Sequence, residues 1–235
     1  MLRVLGQFWR LLKLCIAGEG GKLGLVLYAV VLALELSQIA ITLRMIEWSK
    51  TFYDALQQLN AAEALAQVGL FFGIIGLGAV LTLGSVYTRR HLEIRWRRSL
   101  TNAAMERWLA NRSYLRLERQ RGKGLDNPDQ RIAEDCRIFL AGPMSSHGSG
   151  VGIIPLSLDL ITNVVAIFSY VAVLWSLATF SLPLGFVGIQ AEIPRYMVWA
   201  AFFYVALSTG ITHLLGKPLK NLFIEQQRRE ADFRF

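Results

Sequence analysis

Four stretches of this chain are too long and too apolar to be core strands, and they decide what it can fold into. They run over about 22–45 (core LGLVLYAVVLALELSQIAITL), 66–88 (AQVGLFFGIIGLGAVLTLGSVYT), 151–178 (ending LDLITNVVAIFSYVAVLWSLA) and 193–215 (core YMVWAAFFYVALSTGITHLL). Each matches the roughly 20 apolar residues that a helix needs to cross a bilayer. Composition agrees. The chain is 54% hydrophobic and 18% charged, against roughly 45–50% and about 25% for soluble domains. The expected fold is an all-α polytopic membrane protein. Gly69, Gly73, Gly76 and Gly78 on the second stretch suit close helix approach in lipid.

The N-terminus does not read as a cleavable signal, because the first long apolar run begins after residue 22. Residues 1–21 are expected to hold an interfacial amphipathic helix, and 22–235 a transmembrane domain. Leu2, Leu5, Trp9, Leu12 and Ile16 recur at helical spacing, and Arg3, Arg10 and Lys13 lie largely off that stripe. Trp48, Phe52 and Tyr53 suit an interfacial aromatic anchor.

Basic residues set the expected orientation. Four Lys or Arg precede the first span, thirteen lie in 89–149 and five follow the fourth span. The other three, Arg44, Lys50 and Arg195, lie near the short loops. This places both termini and the long loop in the cytoplasm. The loop also carries seven acidic residues interspersed with the basic ones. That pattern fits a topology signal and a solvated face, and speaks against nucleic-acid binding. Cys15, Cys136, His91, His147 and His213 show no metal-ligand spacing and no disulfide framework.

Past the second span, YTRRHLEIRWRRSLTNAAMERWLA (87–110) keeps helical periodicity without Gly or Pro. At 1.5 Å per residue, 88–110 would project roughly 35 Å as a cytoplasmic stalk. Gly122 and Gly124 then break the helix. DNPDQ reads as a new start, with Asn127 as N-cap, Pro128 in the first helical position and Gln130 placed to bond back. Between residues 141 and 155, Gly142, Pro143, Gly148, Gly150, Gly152 and Pro155 predict a kink or break before the third span.

FYDALQ, IRWRRSLT, WLANRSYLRL, DNPDQRIAED and the closing EQQRREADFRF resemble one family. It is the bacterial ABC transporters with fused membrane and ATPase domains, related to the acyl-CoA transporters of ABC subfamily D. The resemblance covers about residues 47–235. It implies an exporter-type transmembrane domain, here the first four of six helices, that works as a homodimer in the bacterial cytoplasmic (inner) membrane. ATP and Mg would bind an ATPase domain that lies outside these 235 residues. Accordingly, no GxxxxGK[ST] occurs in this chain, and the chain is expected to be an N-terminal piece with no catalytic site of its own. The resemblance makes Asp126, Asn127, Asp129, Gln130, Arg131, Glu134 and Asp135 the coupling helix, with the ATPase domain docking on 111–135. It also implies a continuous third helix, where the Gly/Pro cluster predicts a break. SbmA/BacA-type peptide importers share the membrane fold but use the proton gradient; the NPDQ wording favours the ATP-driven branch.

Inside the spans, Glu35 stands mid-helix, and Asp159 and Asn163 share a helix face four residues apart. A charge there costs roughly 2.5–3.5 kcal/mol on insertion scales. Two readings stay open: a translocation-path lining or proton relay, and a structural interhelical hydrogen bond. Three functions follow in order: ATP-driven transport by alternating access, proton-coupled peptide import, and a membrane-anchored interaction module.

Overall fold

The computed structural model describes residues 2–17, 21–110, 128–142, 152–178, 181–183 and 192–219, together with 222, 225 and 229. The chain divides into two compact units, Met1–Ala166 and Ile167–Phe235.

In the first unit, α1 (Leu2–Ala17) leads to α2 (Gly21–Gln57) and α3 (Ala61–Leu109). After α4 (Pro128–Ala141), the helix α5 (Ile153–Leu177) begins here and runs into the second unit. α2 and α3 form an antiparallel hairpin with a turn of three residues. Leu59 takes a left-handed backbone (φ 55°). The Asn60 N–H bonds the Ala55 carbonyl and the Leu59 N–H bonds that of Leu56, which is a Schellman ending. Asn60 then caps α3 by accepting from the Glu63 N–H at 3.2 Å. Glu63 in the first turn suits the positive end of the helix dipole.

α3 runs unbroken to Leu109, so the expected stalk forms as a continuation of the second span. The third long helix does not form as one piece. α4 stops at Ala141, where Gly142 takes φ 87° and its N–H bonds the Ile138 carbonyl at 2.9 Å. This is the single-bond left-handed C-cap that glycine favours. Gly152, just before α5, abuts the Leu140 carbonyl and the Gly142 nitrogen so closely that a Cβ would overlap both. The helix is thus interrupted, with its two ends in backbone contact. The Gly122/Gly124 break and His147 lie outside the described residues.

The core of this unit sits where α1 to α5 meet beside the stalk. Cys15, Val31, Leu92, Trp96, Leu100, Cys136, Leu140, Ile154 and Leu158 form one buried cluster. α1 joins it through Leu14 and Cys15, and the Ser99 hydroxyl donates to the Leu14 carbonyl at 3.0 Å. Trp9, from the predicted apolar stripe, is exposed. The helix therefore uses its Leu14/Cys15 edge to pack and leaves Trp9 uncovered.

In the second unit, α6 (Tyr196–Gly216) follows a two-residue antiparallel pairing of β1 (Leu182–Pro183) with β2 (Glu192–Ile193). Arg195, left-handed at φ 54°, stacks its guanidinium 3.9 Å from the centroid of the Trp175 ring. The pairing had no sequence signal. It is a minimal clasp, and the other elements among the described residues are helices.

Among the described residues, α2, α3, α5 and α6 are each long and apolar enough to cross a membrane. Their flanks are mostly uncovered, as Phe72, Leu83, Phe168 and Phe203 show. In water such faces would be unfavourable; in lipid they are the expected surface. The protein is an all-α polytopic membrane protein.

Candidate functional site

The α2/α3 interface is a seam of polar pairs. On α3, Gly78, Thr82, Ser85 and Arg89 fall three or four residues apart and so share one face. On α2, Glu35 and Gln38 face them. Gln38 Nε2 donates to the Gly78 carbonyl at 2.7 Å and to Thr82 Oγ1 at 2.6 Å. Ser85 donates to Glu35 Oε1 at 3.3 Å, and Arg89 Nη1 lies 3.8 Å from the same oxygen. Towards the stalk, the Tyr28 hydroxyl donates to Ser157 on α5 at 3.0 Å, and the Tyr28 ring stacks on Trp96.

Glu35 is therefore a paired carboxylate, held by α3. Its partner Arg89 read in the sequence only as part of the topology signal. The spacing of Ser85 and Arg89 on the Gly78/Thr82 face was the available clue. Asp159 on α5 lies within electrostatic range of Glu35, though its own surface is exposed. Asn163, one turn further on, is exposed as well. Of the glycines on the second span, Gly78 packs near Ile41, whereas added Cβ atoms at Gly69, Gly73 and Gly76 would meet nothing within 4 Å. Close approach is thus confined to Gly78 and, against Leu34, Gly84.

The pairings also fix depth. Glu35 opposite Ser85 and Gln38 opposite Thr82 place the centre of window 22–45 opposite the end of window 66–88. The two windows are offset by about 14 Å at 1.5 Å per residue. Their overlap makes the Gln38/Thr82 level the shared centre, with Glu35 and Arg89 on the stalk side. Trp48 lies towards the other end, with its indole N–H on the Gln67 carbonyl at 2.7 Å and its ring against Phe52 and Phe71. Those three rings form one aromatic cluster at that end of the hairpin.

At the stalk, α4 begins at Pro128, the first helical position that the sequence assigned to it. Asp126 and Asn127 lie outside the described residues, and Asp129, Gln130 and Arg131 enter only as helix backbone. Glu134 and Asp135 are exposed. The opposite side of α4 is seated on α3. Cys136 and Leu140 join Leu92, Trp96 and Leu100, and Arg97 Nη2 reaches the Ala133 carbonyl at 3.5 Å. The helix thus shows acidic groups outward and is fixed to the stalk inward.

Burial pushes the Cys15 thiol up from 9.0 to about 11, and the neighbouring Cys136 adds to the shift. Burial raises Cys136 as well. The native state holds the Cys15 proton more tightly than the unfolded chain does. Its contribution to stability is therefore complete below pH 9 and is lost as pH rises from 9 towards 11. Since the thiolate is the nucleophile, Cys15 should alkylate at pH 8 about a hundredfold more slowly than an ordinary thiol. Maleimide labelling followed by mass spectrometry reads this; equal rates in native and denatured protein would contradict the buried junction. Among the described residues, no three His, Cys, Asp or Glu side chains gather as a metal site.

Residues 11–235 match the family model described as ABC transporter transmembrane region 2. An uncharacterized ABC transporter ATP-binding protein of Haemophilus influenzae is 30% identical over 97% of this chain and 36% of its own length. The inner membrane ABC transporter ATP-binding protein YddA of Escherichia coli is 30% identical over 98% of the chain and 39% of its length. ABC transporter D family member 2, chloroplastic, of Arabidopsis thaliana is 25% identical over 88% of the chain and 25% of its length. The chain thus spans about two fifths or less of these curated relatives. With its four crossing helices, unbroken stalk and matched model, this chain belongs to the ABC transporter transmembrane region 2 family.

Proposed function

We propose that this chain is the membrane-spanning part of an ATP-driven transporter of the bacterial inner membrane, working as a homodimer by alternating access. The ATPase portion, with ATP and Mg, would dock on the 111–135 segment, and both termini would lie in the cytoplasm. The observation that carries this is the seating of α4. A short helix beginning at NPDQ turns acidic residues outward and buries Cys136 and Leu140 against a stalk that continues a transmembrane helix. A push on α4 thereby has a rigid route into the bilayer. Relatives named as ATP-binding proteins support the same reading.

Under this reading Glu35, Asp159 and Asn163 are the proposed lining of the path. Arg89 and Ser85 both face the Glu35 carboxylate across the hairpin, and the proton-relay alternative is decided by the transport of a Glu35→Gln protein.

The test is coupling. In full-length protein reconstituted in vesicles, Asp129→Ala and Gln130→Ala should leave ATP hydrolysis within about twofold and lower transport per ATP tenfold or more. A loss of about 1.4 kcal/mol in coupling gives that factor. Normal transport per ATP in both variants would sink the docking assignment.

A further inference from the structure

Arg89, Arg90, Arg95, Arg97 and Arg98 follow one another along α3, and three of them are used within the chain. Arg89 faces Glu35, Arg90 Nη1 meets Glu93 Oε2 at 2.8 Å, and Arg97 reaches the Ala133 carbonyl. Arg95 and Arg98 are left over. Both are exposed, and among the described residues neither has an ion pair or a hydrogen bond. Both also line one cavity of about 610 Å³ beside the stalk, with His91 one turn before them and Asn102 one turn after.

We infer that this cavity is a binding site for the phosphate group of a phosphate ester. Positions 95 and 98 are neighbours on one helix face, with Cβ atoms roughly 5–6 Å apart, and like charges so placed repel one another. An anion with several oxygens relieves that repulsion by bridging the two guanidiniums, each of which can donate a pair of parallel N–H bonds. His91 adds a ring N–H in either protonation state, and Asn102 adds an amide donor. Ser99 in the same wall already gives its proton to the Leu14 carbonyl, so recognition falls to these four side chains. The one carboxylate among the described lining residues, Glu106, stands about 12 Å along the helix from Arg98. The end of the cavity that holds the arginines therefore has no described acid to oppose an anion.

Depth admits two carriers of that phosphate. Measured from the Gln38/Thr82 level, Arg95 and Arg98 stand about 20 and 24 Å from the bilayer centre. The headgroup layer ends roughly 20–22 Å from the centre. The pair thus lies where headgroups meet water. A lipid phosphate reaches it from one side and a soluble phosphate ester from the other, and the chemistry of recognition is the same.

The experiment has one arm for each carrier, both on full-length protein purified in mild detergent and kept in EDTA without ATP. In the first, the protein is exchanged against equal phosphatidylglycerol and diacylglycerol of the same chains and read by native mass spectrometry. In the second, binding of radiolabelled glycerol 3-phosphate is read by equilibrium dialysis. Wild type should show at least a fivefold preference for the phospholipid, or one glycerol 3-phosphate bound per chain. Arg95→Gln/Arg98→Gln changes two exposed positions, so it should melt as wild type does and lose that binding at least fivefold. Arg90→Gln removes a charge from the same helix outside the cavity and should bind as wild type does. A loss in the lipid arm alone assigns the site to a headgroup, and a loss in the dialysis arm alone assigns it to a solute. Binding unchanged by the double substitution in both arms overturns the proposal. An equal loss in Arg90→Gln also overturns it, because the effect would then be one of surface charge. Neither arm reads transport, so the coupling result with Asp129→Ala leaves this one standing.

Discussion

Gly24→Ala should lower the melting temperature of the purified protein by several degrees. The Gly24 Cα lies against the Trp96 indole nitrogen, and a Cβ there would overlap the ring. Trp96 cannot retreat easily. It is buried, stacked on Tyr28 with ring centroids 6.0 Å apart, and packed with Leu92 and Leu100. Its Nε1 is buried without a hydrogen-bond partner, so the ring already sits at some cost. Overpacking a filled core costs roughly 1–3 kcal/mol. The upper half of that range is expected here, because both neighbours are rigid. A second substitution separates a steric cause from a helix-propensity effect. Trp96→Phe shortens the ring at the point of overlap and removes the unpaired N–H, so Gly24→Ala/Trp96→Phe should melt above Gly24→Ala. Additive effects in that cycle, or a Gly24→Ala protein with wild-type melting, would show that the contact does not govern stability.

Removing Arg89 alone should destabilise the hairpin more than removing Arg89 and the Glu35 charge together. Arg89→Ala leaves Glu35 with Ser85 as its one remaining hydrogen-bond donor. Breaking one side of a buried pair costs about 3–5 kcal/mol. The side chains here are 29% and 19% exposed and 3.8 Å apart, so about 2 kcal/mol is the reasonable expectation after screening. Glu35→Gln keeps an acceptor for Ser85 and needs no counter-charge. The double variant should therefore recover most of the loss, and unfolding titrations of the three proteins give the coupling energy directly. Strict additivity would mean that the pair is incidental. The same Glu35→Gln protein tests the transport alternatives: transport that persists in it excludes a proton carried on that carboxylate.

How much was legible in the sequence varies with the kind of signal. The crossing helices, the continuous stalk and the start of α4 at Pro128 were readable because each rests on local chemistry: apolar length, absence of breakers, and a proline in the first helical position. The break after Ala141 was readable too, since Gly142 is the residue that a left-handed ending favours. The partner of Glu35 was not, because Arg89 is fifty-four positions away in the chain. Only the hairpin register brings the two together. That register also displaced the two span windows, which hydropathy sets one helix at a time and without knowledge of what faces what. The edge by which α1 packs was hidden for a related reason. Trp9 of its apolar stripe is uncovered, and the packing falls to Leu14 and to Cys15, which is buried with Leu92 and Cys136.

The junction between α4 and α5 has a mechanical consequence. A continuous helix transmits pushing, pulling and twisting alike, because its hydrogen-bonded backbone is a single rod. Here Gly152 rests on the Leu140 carbonyl and the Gly142 nitrogen, end against end. Such a butt joint carries thrust, since the atoms are already in contact and cannot interpenetrate. Separation is opposed instead by the core that the two helices share, where Cys136 and Leu140 pack with Ile154 and Leu158. Under the coupling reading, a push on α4 would reach α5 directly through this contact and α3 through the seat of Cys136 and Leu140, so one short helix would load two others at once.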